Sequence, residues 1–259
     1  MYMVGTVVIK WGGGLITYKD ELCKPNLEVI RSLAEICSKT DKKLVIVHGA
    51  GSFGHLKAKN FRLAEGRVEG LQQDHAVVEV RQDMLELNHL VVTSLKSRGL
   101  DVRSFPPHEW AEGTGPFFSG DLPLHSGVTV VYGDVVEDQS CGFGILSGDD
   151  LMVRYATEIP DVERVIFAVH GVDGILSVPP DKAGPNDLIK VWSPGMEFEG
   201  EHASEIDVTG GIGLKAARGA MIAQHGIEVT LVNGENFERL SNAIEGKSVI
   251  GTRIIAGNS

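Results

Sequence analysis

Cysteine is scarce. Cys23, Cys37 and Cys141 stand far apart, and none belongs to a CxxC pair. That spacing excludes a disulfide framework and a cysteine-based zinc site, and it suits a reducing compartment. The nine histidines show no HExxH and no paired spacing on one helix face, which removes the helical metal-ligand pattern. No apolar run reaches the ~18 residues of a membrane span, and no charged segment followed by an apolar one opens the sequence. The expectation is a soluble, cytoplasmic protein. Basic charge is also short: 24 Lys and Arg against 35 Asp and Glu give a net charge of −11. Nucleic acid and anionic membrane surfaces are therefore poor partners. A P-loop, GxxxxGK[ST], is missing, as are internal repeats and low-complexity tracts.

Glycine, by contrast, is abundant: 32 of 259 residues, against ~7% in typical proteins. The apolar share of 42% can fill a sizeable core, either in one large α/β domain or in two lobes sharing a sheet. Many glycines follow apolar runs directly. The most informative stretch runs from Lys42 to His55. Leu44–Val47 reads as a buried strand that empties into His48-Gly49-Ala50-Gly51-Ser52-Phe53-Gly54-His55. Glycines let a ligand approach the main chain, and successive free N–H groups make a concavity that suits an anion. A helix opening after Gly54 would strengthen that attraction.

The same strand-then-glycine arrangement recurs. Gly5–Trp11 breaks at Gly12-Gly13-Gly14, and Val128–Tyr132 at Gly133-Asp134. Phe143–Leu146 runs into Ser147-Gly148-Asp149-Asp150 and a helix to Glu158. Arg164–Val169 runs into Gly171-Val172-Asp173-Gly174. The turn Asp207-Val208-Thr209-Gly210-Gly211 precedes a helix over Lys215–Gln224, with strands at Glu228–Val232 and Gly251–Ile255. Asn26–Thr40 shows helical spacing at Leu27, Ile30, Leu33, Ala34 and Cys37, with Asn26 as N-cap. Strand, helix, strand over the first ~45 residues is a βαβ unit, which predicts a parallel sheet with ligands at the carboxyl ends of its strands.

Asp74–Ser97 is the longest helical pattern, with Val77, Val80, Met84, Leu87, Val91 and Leu95 on one face. That stripe reads as core packing, part of which could line a pocket for an apolar substrate tail. Asp101–Phe105 reads as a short strand, Pro106–Pro123 as a surface excursion and Val178–Gly200 as irregular. Several turns on one chain argue for a shared cleft at one edge of the sheet.

Three lysines stand beside these turns: Lys10 ends the first strand, Lys19 lies past the first glycine turn, and Lys215 follows Gly210-Gly211-Ile212-Gly213. Phosphoryl transfer needs positioning and cations that neutralise spreading charge, and lysines raised on glycine turns meet that need. A lysine in a buried strand needs a partner. Asp149 could hold Lys10 and Lys215, and it also reads as a helix N-cap. Gly49-Ala50-Gly51-Ser52-Phe53-Gly54 spells GxGxxG, which keeps a dinucleotide-binding oxidoreductase open. That fingerprint normally sits on the first strand with an acidic residue ending the next, and Glu65 and Glu69 do not end a strand-like run.

Lys10-Trp11-Gly12-Gly13-Gly14, His48-Gly49-Ala50-Gly51, Ser147-Gly148-Asp149-Asp150, Val172-Asp173-Gly174 and Asp207-Val208-Thr209-Gly210-Gly211 with Lys215 resemble the amino-acid kinase superfamily, in order and along nearly the whole chain. Within it, the octapeptide from His48 to His55 resembles the archaeal-type isopentenyl phosphate kinase family. Fosfomycin kinase is similar and shares the second histidine. The resemblance implies an open αβα sandwich with a mostly parallel central sheet of about eight strands. It implies a homodimer, ATP with Mg²⁺ carried on the nucleotide, and direct in-line transfer to isopentenyl phosphate.

By position, the resemblance implies that Gly12, Gly13, Lys19, Gly148, Val172, Asp173, Gly174, Gly210, Gly211 and Lys215 face the nucleotide. Gly49, Ala50, Gly51, Gly54 and His55 would face the acceptor phosphate. Lys10 would stabilise the moving phosphoryl group, with Asp149 orienting lysines. Approximate lobes would be 1–140 for the acceptor and 141–259 for the nucleotide. The family's Lys-Leu-Gly-Gly-Ser departs here to Trp11 and Gly14, and its Asp-Met-Thr-Gly-Gly-Met to Val208 and Ile212. A phosphonate acceptor such as fosfomycin, or a nucleotide-sensing domain without catalysis, are the competing readings.

Overall fold

The computed structural model describes residues 5–184, 186–196 and 211–257. The chain opens with strand β1 (Thr6–Trp11), a single helical turn α1 (Gly13–Ile16), helix α2 (Leu27–Cys37) and strand β2 (Lys43–His48). Asn26 caps α2 as expected, its side chain accepting the Val29 N–H at 3.3 Å. Ile30, Leu33, Ala34 and Cys37 are buried, whereas Leu27, expected on the same face, is exposed.

A 3-10 turn (Gly51–Phe53) leads into α3 (His55–Asn60), then the long α4 (Asp74–Lys96), β3 (Val102–Ser104) and β4 (Val128–Tyr132). All six stripe residues expected on α4 are buried. Next come β5 (Asp134–Asp138), β6 (Gly142–Leu146), α5 (Gly148–Thr157), β7 (Val162–Val169) and β8 (Val191–Trp192). The chain finishes with α6 (Ile212–Ala223), β9 (Glu228–Asn233), α7 (Phe237–Ile244) and β10 (Thr252–Ile254).

Among the described residues the main sheet has eight strands, in the order β3-β4-β2-β1-β7-β9-β10-β8. Every neighbouring pair is parallel except β9 and β10. Helices α2, α4 and α7 pack with one face of it, and α5 and α6 with the other, each over a separate apolar cluster. The fold is thus the open αβα sandwich with a mostly parallel central sheet. No described helix is long and apolar enough to cross a membrane.

One expected strand is misplaced. Residues 143–146 do not join the parallel sheet; they pair antiparallel with β5 as a two-stranded ribbon. An apolar run signals burial, and it says nothing about the direction of pairing.

The strand ends decide the site. Lys10 lies in register between Val47 of β2 and Phe167 of β7, and Trp11 lies beside His48. Side chains alternate across a strand, so Lys10 and Val47 face α5 while Trp11 and His48 face α4. Adjacent residues therefore send different chemistry to opposite sides of the sheet.

Candidate active site

The first glycine after β1, β2, β4 and β9 is absorbed by the sheet. Gly12 donates to the Ala168 carbonyl at 2.9 Å, Gly49 to Trp11 at 2.9 Å, Gly133 to His48 at 3.1 Å, and Gly234 to Val169 at 2.8 Å. The expectation that Gly49 offers its N–H to the acceptor phosphate is corrected on this point: that N–H extends the ladder, as does the N–H of Gly12. The open donors come next along the chain. The N–H groups of Gly13, Gly14, Ala50 and Gly51 donate to no described residue.

These two loops touch. A Cβ on Gly13 would overlap the Gly51 nitrogen, and Gly51 itself sits at φ +50, the left-handed region that glycine adopts most readily. Close approach of backbone to backbone is what these glycines permit, in addition to any ligand. Thr17 stitches the contact: its hydroxyl donates to the Gly13 carbonyl at 2.8 Å and accepts the Ser52 N–H at 3.0 Å.

Between and beneath the loops lies a cavity of about 640 Å³. Lys10, Gly12, Gly13, Lys19, Gly49, Ala50, Gly51, Gly54, His55, Gly148, Asp149, Val172, Gly211 and Lys215 all line it. Asp173 and Gly174 do not. Asp173 is held by Arg239 at 2.5 Å and Asn233 at 3.3 Å, and Gly174 packs against Thr252. Gly210, with 207–209, lies outside the described residues.

Asp149 is fully buried and binds both lysines, Lys10 directly and Lys215 at 3.3 Å. It does not cap α5. Ser147 does, accepting the Asp149 and Asp150 N–H groups at 3.0 and 3.3 Å, which leaves the Asp149 carboxylate for the lysines. Asp150 instead pairs with Arg218 at 2.6 Å and fastens α5 to α6. Burial opposes the charged form of Asp149, yet the Lys10 and Lys215 charges prevail and hold its carboxyl below the usual range. Burial pulls Lys10 down to about 8; the Asp149 charge opposes that shift and the Lys215 charge adds to it.

Three features escaped the sequence. Thr17 carried no local signal. Asp134 lines the cavity, buried, with one oxygen on the Val135 N–H at 2.8 Å and the other on the His108 ring at 2.6 Å. Its place after Gly133 was visible; its partner, 26 residues upstream, was not. Lastly, the β5–β6 ribbon contributes Val135 and Ile145, which with Ala50, Ala58, Val80 and Met84 form an apolar wall beside the second loop. The tail-pocket expectation for α4 thus falls on Val80 and Met84.

Open N–H groups on two touching loops, beside a buried lysine–aspartate–lysine group, give one cavity the donors and cations that suit phosphate groups, the requirement of a phosphotransferase. The chain belongs to the amino acid kinase family, whose model matches residues 5–233. Over 265 aligned residues it is 31% identical to the isopentenyl phosphate kinase of Methanothermobacter thermautotrophicus, spanning 96% of this chain and 98% of that protein. The isopentenyl phosphate kinase of Thermoplasma acidophilum is also 31% identical, over 96% of this chain and 99% of its own. A solved isopentenyl phosphate kinase structure superposes with a TM-score of 0.79 at 27% identity, covering 96% of this chain and 99% of that one.

Proposed function

We propose that the protein is an ATP-dependent phosphotransferase that converts isopentenyl phosphate to isopentenyl diphosphate. The observation that carries this reading is the pair of touching loops, with open N–H groups on both, in one cavity with Lys10 and His55. In this reading the Gly13 and Gly14 donors, with Lys19 and Lys215, hold the nucleotide phosphates. The Ala50 and Gly51 donors and His55 hold the acceptor phosphate, and the Val80–Met84 wall takes its branched tail. Gly148, Val172 and Gly211 complete the nucleotide side.

The chemistry asks little covalent help of the protein. An anionic oxygen of the acceptor attacks the γ-phosphorus, the bond to the ADP oxygen breaks, and no proton needs removing first. His55 therefore positions the acceptor and offsets charge rather than acting as a base. Lys10, aimed by Asp149, neutralises charge on the group in flight.

The cavity carboxylates do not form a seat for a resident Mg²⁺. Of the three that line the cavity, Asp149 faces two lysines, Asp134 is taken up by His108 and Val135, and Asp20 is exposed; the described residues hold no group of three His, Cys, Asp or Glu placed to ligate a metal. Mg²⁺ enters this reading as the counter-ion of the nucleotide, where it screens phosphate charge. Residues 1–140 then act as the acceptor lobe and 141–259 as the nucleotide lobe, with the Lys10–Gly13 segment crossing to the nucleotide. A cytoplasmic homodimer belongs to the same reading, from the family resemblance.

The test is ADP release with isopentenyl phosphate, fosfomycin and small carboxylates offered in parallel. Stimulation by isopentenyl phosphate is expected, and His55→Ala should lower kcat/KM for it by roughly 10²-fold while ATP affinity stays. Stimulation by fosfomycin alone would make the acceptor a phosphonate. No stimulation by any of them would leave a nucleotide sensor.

A further inference from the structure

His48 ends β2, fully buried on the face opposite Lys10, and has no part in the transfer described above. Its ring stacks on Tyr132 with centroids 5.0 Å apart, and Nε2 lies 3.4 Å from the amide oxygen Oδ1 of Asn88 on α4. Nδ1 lies 3.2 Å from the Gly49 carbonyl. A neutral ring carries one proton and both partners are acceptor oxygens. The shorter contact is to the Gly49 carbonyl, to which no other described group donates, whereas Asn88 Oδ1 already accepts from Ser104, so the proton is assigned to Nδ1.

The peptide between residues 48 and 49 is pinned at both ends. The His48 carbonyl accepts from Gly133, and the Gly49 N–H donates to Trp11. The next peptide, between 49 and 50, follows a glycine and so has unusual freedom to flip. That peptide is planar and trans, so the Gly49 carbonyl and the Ala50 N–H point in opposite directions. Whatever holds the carbonyl aims the N–H.

Resting on the proposed function, we infer that His48 is a positioning residue for the acceptor: its Nδ1–H holds the Gly49 carbonyl and thereby aims the Ala50 N–H into the cavity. Without that tether the peptide can turn, and a carbonyl oxygen would then meet the acceptor phosphate where a donor should be. The effect is confined to the acceptor side, because the Gly13 and Gly14 donors sit on a different loop.

Two experiments decide it. Nitrogen NMR of protein labelled in its histidine rings reads the His48 tautomer without any substitution. A neutral ring protonated at Nδ1 is expected at pH 7, and a ring protonated at Nε2 overturns the inference. The second experiment compares His48→Asn, whose amide nitrogen falls near Nδ1, with His48→Gln, whose amide nitrogen falls near Nε2. The Asn variant should keep its KM for isopentenyl phosphate within about threefold, and the Gln variant should raise it tenfold or more. KM for ATP should stay put in both.

Equal acceptor KM values in the two variants, or a joint rise in both substrates' KM, would show that His48 is only a core residue. Should either variant fail to fold, the NMR result decides alone. Wild-type protein inactive toward isopentenyl phosphate would sink the functional reading, whereas an active wild type with an Nε2–H ring would sink only the role of His48.

Discussion

The two faces of the sheet meet at the same strand ends and treat polarity in opposite ways. On the α5 side, Lys10 and Lys215 share one buried carboxylate, Asp149. On the α4 side, His48, Asn88 and Ser104 form a neutral group: the Ser104 hydroxyl donates to Asn88 Oδ1 at 3.1 Å, and His48 Nε2 lies 3.4 Å from the same oxygen. The difference separates two tasks. In the proposed function, charge is kept where it acts on a phosphoryl group directly. Neutral hydrogen bonds are kept where a backbone must hold its shape without attracting the ligand itself.

Breaking the charged side should have the largest effect. Asp149→Asn removes the buried carboxylate that Lys10 and Lys215 share. Removing one partner of a buried ion pair typically destabilises by about 3–5 kcal/mol, and here two pairs share the partner. The expected outcome is a marked fall in the urea midpoint together with near-complete loss of turnover. Saturating ATP should restore part of the stability, because its phosphates replace the missing anion. An Asp149→Asn protein as stable as the parent would mean that the lysines are not held by this carboxylate.

This side of the site was legible in the sequence, because a lysine inside an apolar strand demands a partner and Asp149 ended another apolar run. The parallel sheet was legible for a similar reason: β1, β2, β4, β7 and β9 are apolar runs that stop at small residues. Other elements were hidden. In β5, Asp134-Val135-Val136-Glu137-Asp138 has only two apolar residues between acids, so the ribbon partner of β6 left little trace. Helix α7 did carry a signal, Phe237, Leu240, Ala243 and Ile244 behind the Asn236 cap, that was short enough to pass as loop. The division between open and spent glycine N–H groups depends on which strand lies next door, and no single-chain pattern encodes that. His48 was visible as the end of a turn, but its partner Asn88 lies forty residues on.

The neutral side should fail in acid. Burial pulls His48 down to about 4, against 6.5 for a free ring, and the contacts with Gly49 and Asn88 oppose that shift only in part. The folded protein therefore holds this ring neutral where the unfolded chain would protonate it. The stability is fully present above pH 6.5 and drains away as pH falls toward 4. A shift of this size corresponds to about 3 kcal/mol. Denaturant midpoints of wild type and His48→Asn, compared from pH 7 to pH 4.5, should converge as this advantage disappears. A constant gap between them would show that the ring is not kept neutral by folding.

The smallest expected effect sharpens the comparison most, because it separates charge that acts from charge that only stabilises. Lys10 loses its proton near pH 8 in the free protein, for want of solvent and despite Asp149. Phosphate groups bound beside it favour the protonated form, so the pH at which it matters depends on what is bound. The kcat/KM profile reports the free enzyme and should bend downward near pH 8, approaching tenfold per unit. The kcat profile reports the occupied enzyme and should bend at a higher pH. Stability separates this from unfolding. Between pH 8 and 10.5 the unfolded chain holds the Lys10 proton and the folded chain does not, so this group makes stability rise with pH across that window. Lys10→Arg keeps its charge throughout and should lose the alkaline bend even though its kcat is reduced. A bend that survives in the Arg variant would assign the titration to another group and leave Lys10 with a purely structural charge.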